Sequence, residues 1–177
     1  MQYTKLGTTD IEVSRICLGC MGFGDSGNGQ HAWTLGYEES AMIITRALGE
    51  GITFFDTAMG YQNGTSEEYV GRALAKYARR DDVVVATKFV LGGPHAPAGE
   101  RPGDRGPESV DSKIERLLDA SLARLGMDYV DLYIYTCGIG IPPSRSCCPR
   151  SIARFGRARY AHWASRIAMR GNSPRRT

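Results

Sequence analysis

"DVVVATKFV", residues 82–90, is the stretch on which the fold turns. Its apolar residues follow one another instead of alternating with polar ones, the mark of a strand covered on both faces. The segments around it have a different period. "SEEYVGRALAKYARR" (66–80) has helical spacing, with Ser66 as a predicted N-cap, acids in its first turn and Arg79 and Arg80 at its end, as the helix dipole favours. "SVDSKIERLLDASLARLG" (109–126) puts Val110, Ile114, Leu117, Leu118, Leu122 and Leu125 on one stripe and stops at Gly126.

Further out the alternation repeats. "ITFFDTA" (52–58) and "YVDLYIY" (129–135) read as strands, and "RICLG" (15–19) as a buried strand opening into a Gly-rich loop. "YEESAMIITRALGEG" (37–51) predicts a helix with Ile43, Ile44, Ala47 and Leu48 on one face and a stop at Gly51. "QYTKL" and "IEVSR" around "GTTD" predict an N-terminal hairpin, and a Gly/Pro-rich loop covers 92–107. Strand, helix, strand, helix, strand, helix, strand means βαβ units and a parallel sheet. Ligand chemistry in such sheets lies past the C-terminal strand ends, where Asp56, Lys88 and Thr136 stand.

The chain has 177 residues, 42% hydrophobic and 23% charged, the profile of one globular domain. No apolar run approaches the roughly 18 residues of a membrane span, and no signal-peptide core opens the chain. A cytoplasmic protein with no membrane partner is therefore expected. Five Cys at irregular spacing suggest no disulfide framework, and no metal site is expected. The net charge of +3 hides an asymmetry. Residues 136–177 hold nine Arg and no Lys, Asp or Glu, which leaves 13 basic groups against all 19 acidic ones in the first 135. The chain divides accordingly, into an ordered unit at 1–135 and an irregular, unstructured basic tail at 136–177.

Three motifs carry little. "GFGDSG" (22–27) fits G-x-G-x-x-G, but "NGQHAWTLG" after it is no helix start, so a flexible loop is the reading. "CLGC" (17–20) sits at a strand end, where positions three apart face opposite sides, and reads as two ordinary thiols. The Arg-rich tail has Phe155, Tyr160 and Trp163 for stacking, but no recognised nucleic-acid module. A nucleic-acid arm on a self-associating unit stands as the alternative to a tail without function. Asp56, Tyr61 and Lys88 are different. A Lys ending an apolar strand needs a partner, which an Asp at the neighbouring strand end supplies. A cation beside a phenol favours release of its proton. A strand-end salt bridge and a loop tyrosine are the plainer explanation of the same residues.

"YTKLGTTDIEVSRICLGCMGFG", "GITFFDTAMGY", "SEEYVGRAL", "VVVATK" and "SLARLGMDYVDLYIY" resemble, in order, landmarks of the aldo-keto reductase family. The resemblance covers residues 1–135. It implies the N-terminal half of a (β/α)8 TIM barrel behind an N-terminal β-hairpin, and NADPH-dependent reduction of aldehydes and ketones to alcohols. It also implies a catalytic tetrad in which Asp56, Tyr61 and Lys88 hold three places and Thr136 stands where the family has His. Cys20, Met21 and Asp56 would lie by the cofactor, and the partner would be a small carbonyl substrate.

Past Tyr135 the resemblance stops. The family continues from its His into an acidic helix resembling "TPIEE". "TCGIGIPPSRS" (136–146) can be encoded so that one added base before codon 136 makes the same bases read "HMWDWDTPIEE". The same shift lets the letters from Pro149 onward read "ALDRAVRAGKVR". A missing base at codon 136 is therefore expected, with a truncated half barrel of little or no activity. Such a half would expose both sheet edges and much of its apolar interior, and would tend to self-associate through those edges.

Overall fold

A computed structural model describes residues 1–91, 108–136 and the strand at 160–165. The predicted loop at 92–107 and the rest of the tail lie outside the described residues.

Strands β1 (Tyr3–Lys5) and β2 (Glu12–Ser14) form the predicted antiparallel hairpin, with Thr4 opposite Val13. Four parallel strands follow in sequence order: β3 (Cys17–Gly19), β4 (Phe54–Asp56), β5 (Val84–Phe89) and β6 (Val130–Tyr135). Between them run α1 (Tyr37–Gly49), α2 (Thr65–Tyr77) and α3 (Val110–Leu125).

Every residue of β5 is buried, as the continuous apolar run requires. On one face Phe55, Val85, Phe89 and Tyr133 pack with Val70, Leu74, Leu117 and Leu118 of the helices. On the other, Val84, Ala86 and Leu132 meet Val13 of the hairpin. Helix α3 begins and ends as its sequence indicates. The Ser109 hydroxyl accepts from the Ser112 amide at 3.1 Å, and Gly126 takes a left-handed φ of 63°.

Several expectations need correction. The predicted cap Ser66 is one residue inside α2, whose N-cap is Gly64 with φ 95°. Ser66 is wholly buried, and its hydroxyl is spent on the Cys20 carbonyl at 2.8 Å and the Thr57 hydroxyl at 3.0 Å. Arg79 and Arg80 fall past the helix end; Arg80 instead binds the Asp131 carboxylate at 2.7 Å. Ile43 and Val110, placed on apolar faces by their spacing, are exposed. Strand β3 is not buried, since it pairs only with β4 and Cys17 and Gly19 remain exposed at the edge.

The half-barrel expectations also shift. On the inner face Val84, Ala86 and Leu132 are buried against the hairpin, while Phe54 and Ile134 are only partly buried beside them. The edge of β6 is not open either. Within the tail read as irregular, β7 (Tyr160–Ser165) pairs in parallel with β6, Leu132 opposite His162. An edge strand's unpaired backbone groups template such pairing, which composition does not reveal. No described helix is long and apolar enough to cross a membrane.

Candidate active site

The parallel register brings the site together. Asp56, the last residue of β4, lies opposite Ala86 of β5, and Lys88 follows two residues later on the same face. The Lys88 ammonium reaches back to donate to Asp56 Oδ1 at 2.7 Å and to the Thr57 carbonyl at 2.7 Å. Only 7% of the Lys88 side chain is exposed, against 32% for Asp56. The charge buried in the sheet is thus compensated, and water reaches the pair from the carboxylate side. Beyond β4, a bond from the Met59 amide to the Lys88 carbonyl at 3.1 Å ties the following turn to β5.

Tyr61 opens that turn, half-buried, with the Lys88 ammonium 4.9 Å from its ring centroid. The cation therefore faces the π-surface of the ring. Asp56, Tyr61 and Lys88, singled out in the sequence, thus lie together at these strand ends. Thr136 follows β6 at the same end, and its amide donates to the Phe89 carbonyl at 2.9 Å. Its side chain has no imidazole nitrogen to offer a substrate oxygen.

Cys20 and Met21 diverge. Met21 is 39% exposed, whereas Cys20 has no exposed surface. The Cys20 amide donates to the Asp56 carbonyl, its carbonyl accepts from Ser66, and its thiol is turned into the core. Although Cys17 is exposed at the sheet edge, partial desolvation of its sulfur, and next the charge of Asp56, push its thiol from 9.0 up to about 11, and full burial drives Cys20 well upward too. Neither is a ready thiolate, which agrees with their reading as ordinary thiols. Gln62 went unnoticed in the sequence; it is 1% exposed with φ 47° and ψ 49°, and nothing in a lone Gln signals a left-handed backbone.

The sequence pattern of the aldo/keto reductase family matches residues 15–138. This chain belongs to the aldo/keto reductase family. It is 36% identical over 143 residues to versiconal hemiacetal acetate reductase of Aspergillus parasiticus, covering 75% of this chain and 41% of that protein. It is 39% identical over 135 residues to aldo-keto reductase YhdN of Bacillus subtilis, covering 75% and 37%. With the NADH-specific methylglyoxal reductase of Escherichia coli it shares 38% over 152 residues, covering 81% and 44%.

Among solved structures, a thermostable aldo-keto reductase in complex with the inhibitor epalrestat superposes with a TM-score of 0.63 at 26% identity, over 93% of this chain and 53% of that one. The holo form of an aldo-keto reductase from Bacillus halodurans gives 0.57 at 33% identity, over 76% and 40%. The parallel α/β sheet is thus that of the family's TIM barrel, and this chain spans about two fifths of the length of the curated relatives it matches. Aldo-keto reductases in general use a reduced nicotinamide dinucleotide.

Proposed function

We propose that this chain carries the carbonyl-activating corner of a reductase for aldehydes and ketones, without the rest of the machinery. The observation that supports this reading is the Lys88–Asp56 pair at adjoining strand ends, with the Lys88 cation against Tyr61. Tyr61 is the proposed donor of a proton to the carbonyl oxygen. Lys88, held by Asp56 and Thr57, supplies the positive field that stabilises the charge left behind.

The fit to a dinucleotide is incomplete. Met21 and Asp56 present surface at the strand ends where a nicotinamide would lie. For the phosphates, Lys88 is the one cation within the described parallel strands, and both of its close contacts are to Asp56 and Thr57. Lys88 is thus engaged within the site and is not a free cation for the phosphates. NADPH is the proposed cofactor of the lineage; the NADH-specific relative marks the competing choice.

A missing base at codon 136 accounts for Thr136 at the His position, for the loss of every acid after it and for the nine Arg that follow. The proposal is that residues 136–177 are read out of frame and that the 177-residue chain is inactive. The test is turnover. The purified chain, and the product of the gene with one base restored before codon 136 and its downstream sequence read through in the new frame, are given NADPH or NADH and an aldehyde, and dinucleotide oxidation is followed. No turnover by the first and clear turnover by the second is the expected result. In the restored chain Tyr61→Phe should lower the rate by roughly 10²–10⁴-fold. Aldehyde reduction by the 177-residue chain itself would overturn the proposal.

A further inference from the structure

Next to Tyr61, a buried glutamine does something the reductase reading leaves unexplained. The Gln62 side chain spends both ends of its carboxamide on one loop. Its Oε1 accepts from the Gln30 amide at 3.0 Å and the His31 amide at 2.9 Å. Its Nε2 donates to the carbonyls of Asp25 and His31, both at 2.8 Å, and lies 3.1 Å from the Thr34 hydroxyl. The loop wraps it so tightly that a Cβ on Gly29 would stand 2.6 Å from Gln62 Cα, and one on Gly24 2.7 Å from its Cβ. The backbone at Gln62 is left-handed, a conformation that costs a non-glycine residue free energy and persists where surrounding contacts over-determine it.

The clamped loop carries an aromatic pair. Trp33 stacks on His31 with centroids 4.9 Å apart and planes 27° apart, yet stays 60% exposed. It stands over Gly22, beside the exposed Met21 at the same strand end as Asp56. The indole is thereby held open to solvent over the backbone that runs from Cys20, itself bonded to the Asp56 carbonyl, through Met21 and Gly22.

We propose that Gln62 is a positioning residue that casts the Asp25–Thr34 loop as one wall of the site, with Trp33 as the flat surface on which a carbonyl compound bearing an aromatic substituent rests. This rests on the reductase reading for its substrate class. Tyr61 and the wall then move as one unit, because the residue after the proposed proton donor is the anchor of the loop.

The test uses the 177-residue chain in a Trp163→Phe background, so that Trp33 alone emits. Quenching of Trp33 by 4-nitroacetophenone is titrated, and amide exchange is followed over 25–34 and over α2. Saturable quenching is expected. Gln62→Gly, which relieves the left-handed backbone but deletes the clamp, should raise exchange of the Gln30 and His31 amides by roughly a hundredfold while α2 stays protected. It should also weaken the ketone's binding by roughly tenfold. Gln62→Glu keeps the size and the acceptor but loses the donors, and should fall between. If Gln62→Gly loosens α2 as well, Gln62→Glu decides alone. Quenching that stays linear in ketone concentration, or variants that bind and exchange like the parent, would overturn the inference. None of these readouts requires turnover, so failure here is separable from failure of the reductase reading.

Discussion

Replacing Gly71 by alanine tests the packing that holds the helical layer together. Gly71 lies in the buried face of α2, where that helix meets the end of α3. A Cβ built there would stand 2.1 Å from the Leu125 carbonyl oxygen, 2.6 Å from its carbon and 2.7 Å from its Cα. All three are backbone atoms, so no rotamer change relieves the overlap. Moving from 2.1 Å to the 3.4 Å at which ordinary contact begins requires the helices to part by 1.3 Å. Alanine in a helix recovers about 1 kcal/mol of intrinsic propensity. Overpacking typically costs about 1–3 kcal/mol, and the gap opened around Leu74, Leu122 and Leu125 forfeits dispersion contacts beyond that.

The net expectation is a loss of about 1–3 kcal/mol, or roughly 2–12 °C in Tm for a chain of this size. The assay is thermal and urea unfolding followed by circular dichroism, with Gly49→Ala as the control. Nothing lies within 4 Å of a Cβ at Gly49, the last residue of α1, so that change should be neutral or gain roughly 0.5 kcal/mol. A Gly71→Ala protein that melts at or above the parent would refute the close approach of α2 and α3.

Other perturbations probe the site and its surroundings. Asp56→Ala strands a Lys88 ammonium whose side chain is only 7% exposed, and should cost about 3–5 kcal/mol in urea unfolding, more than Lys88→Met, which leaves a carboxylate that water already reaches. Equal losses would mean that the pair is not asymmetrically buried. Ser66→Ala leaves the buried Thr57 hydroxyl without its partner and takes one of two donors from the Cys20 carbonyl, which keeps the Phe23 amide, and should cost about 1–3 kcal/mol in the same assay. The folded state raises the Cys17 thiol from 9.0 to about 11, so it favours the protonated form. That contribution is fully present below pH 9 and is lost as the pH rises toward 11, so stability should fall across that window. A Cys17→Ser protein should show a shallower alkaline loss, and an unchanged pH profile would remove Cys17 as its source.

Much of this layout was legible in the letters. The alternation of a 3.6-residue period with unbroken apolar runs is a local property, so hairpin, helices and parallel order followed from it. So did Asp56 and Lys88, because the order of βα units places strand ends together whatever the packing details. Ser66, Ile43 and Val110 were misread for the opposite reason. Capping and burial at those positions depend on what a neighbouring element covers, and spacing within one helix cannot report that. Gln62 was invisible because its role comes from a loop some thirty residues away closing around it.

The sequence alone determined which family pattern this chain carries up to Tyr135, and that its charge and composition change there, because motif order and composition are written in one dimension. Tertiary structure alone decided that Lys88 lies 2.7 Å from Asp56, that Cys20 is sealed away while Met21 is open, and that Tyr160–Ser165 lies along β6. Register between strands, and the burial it imposes, arise from contacts between residues far apart in the chain, and each depends on all the others being in place.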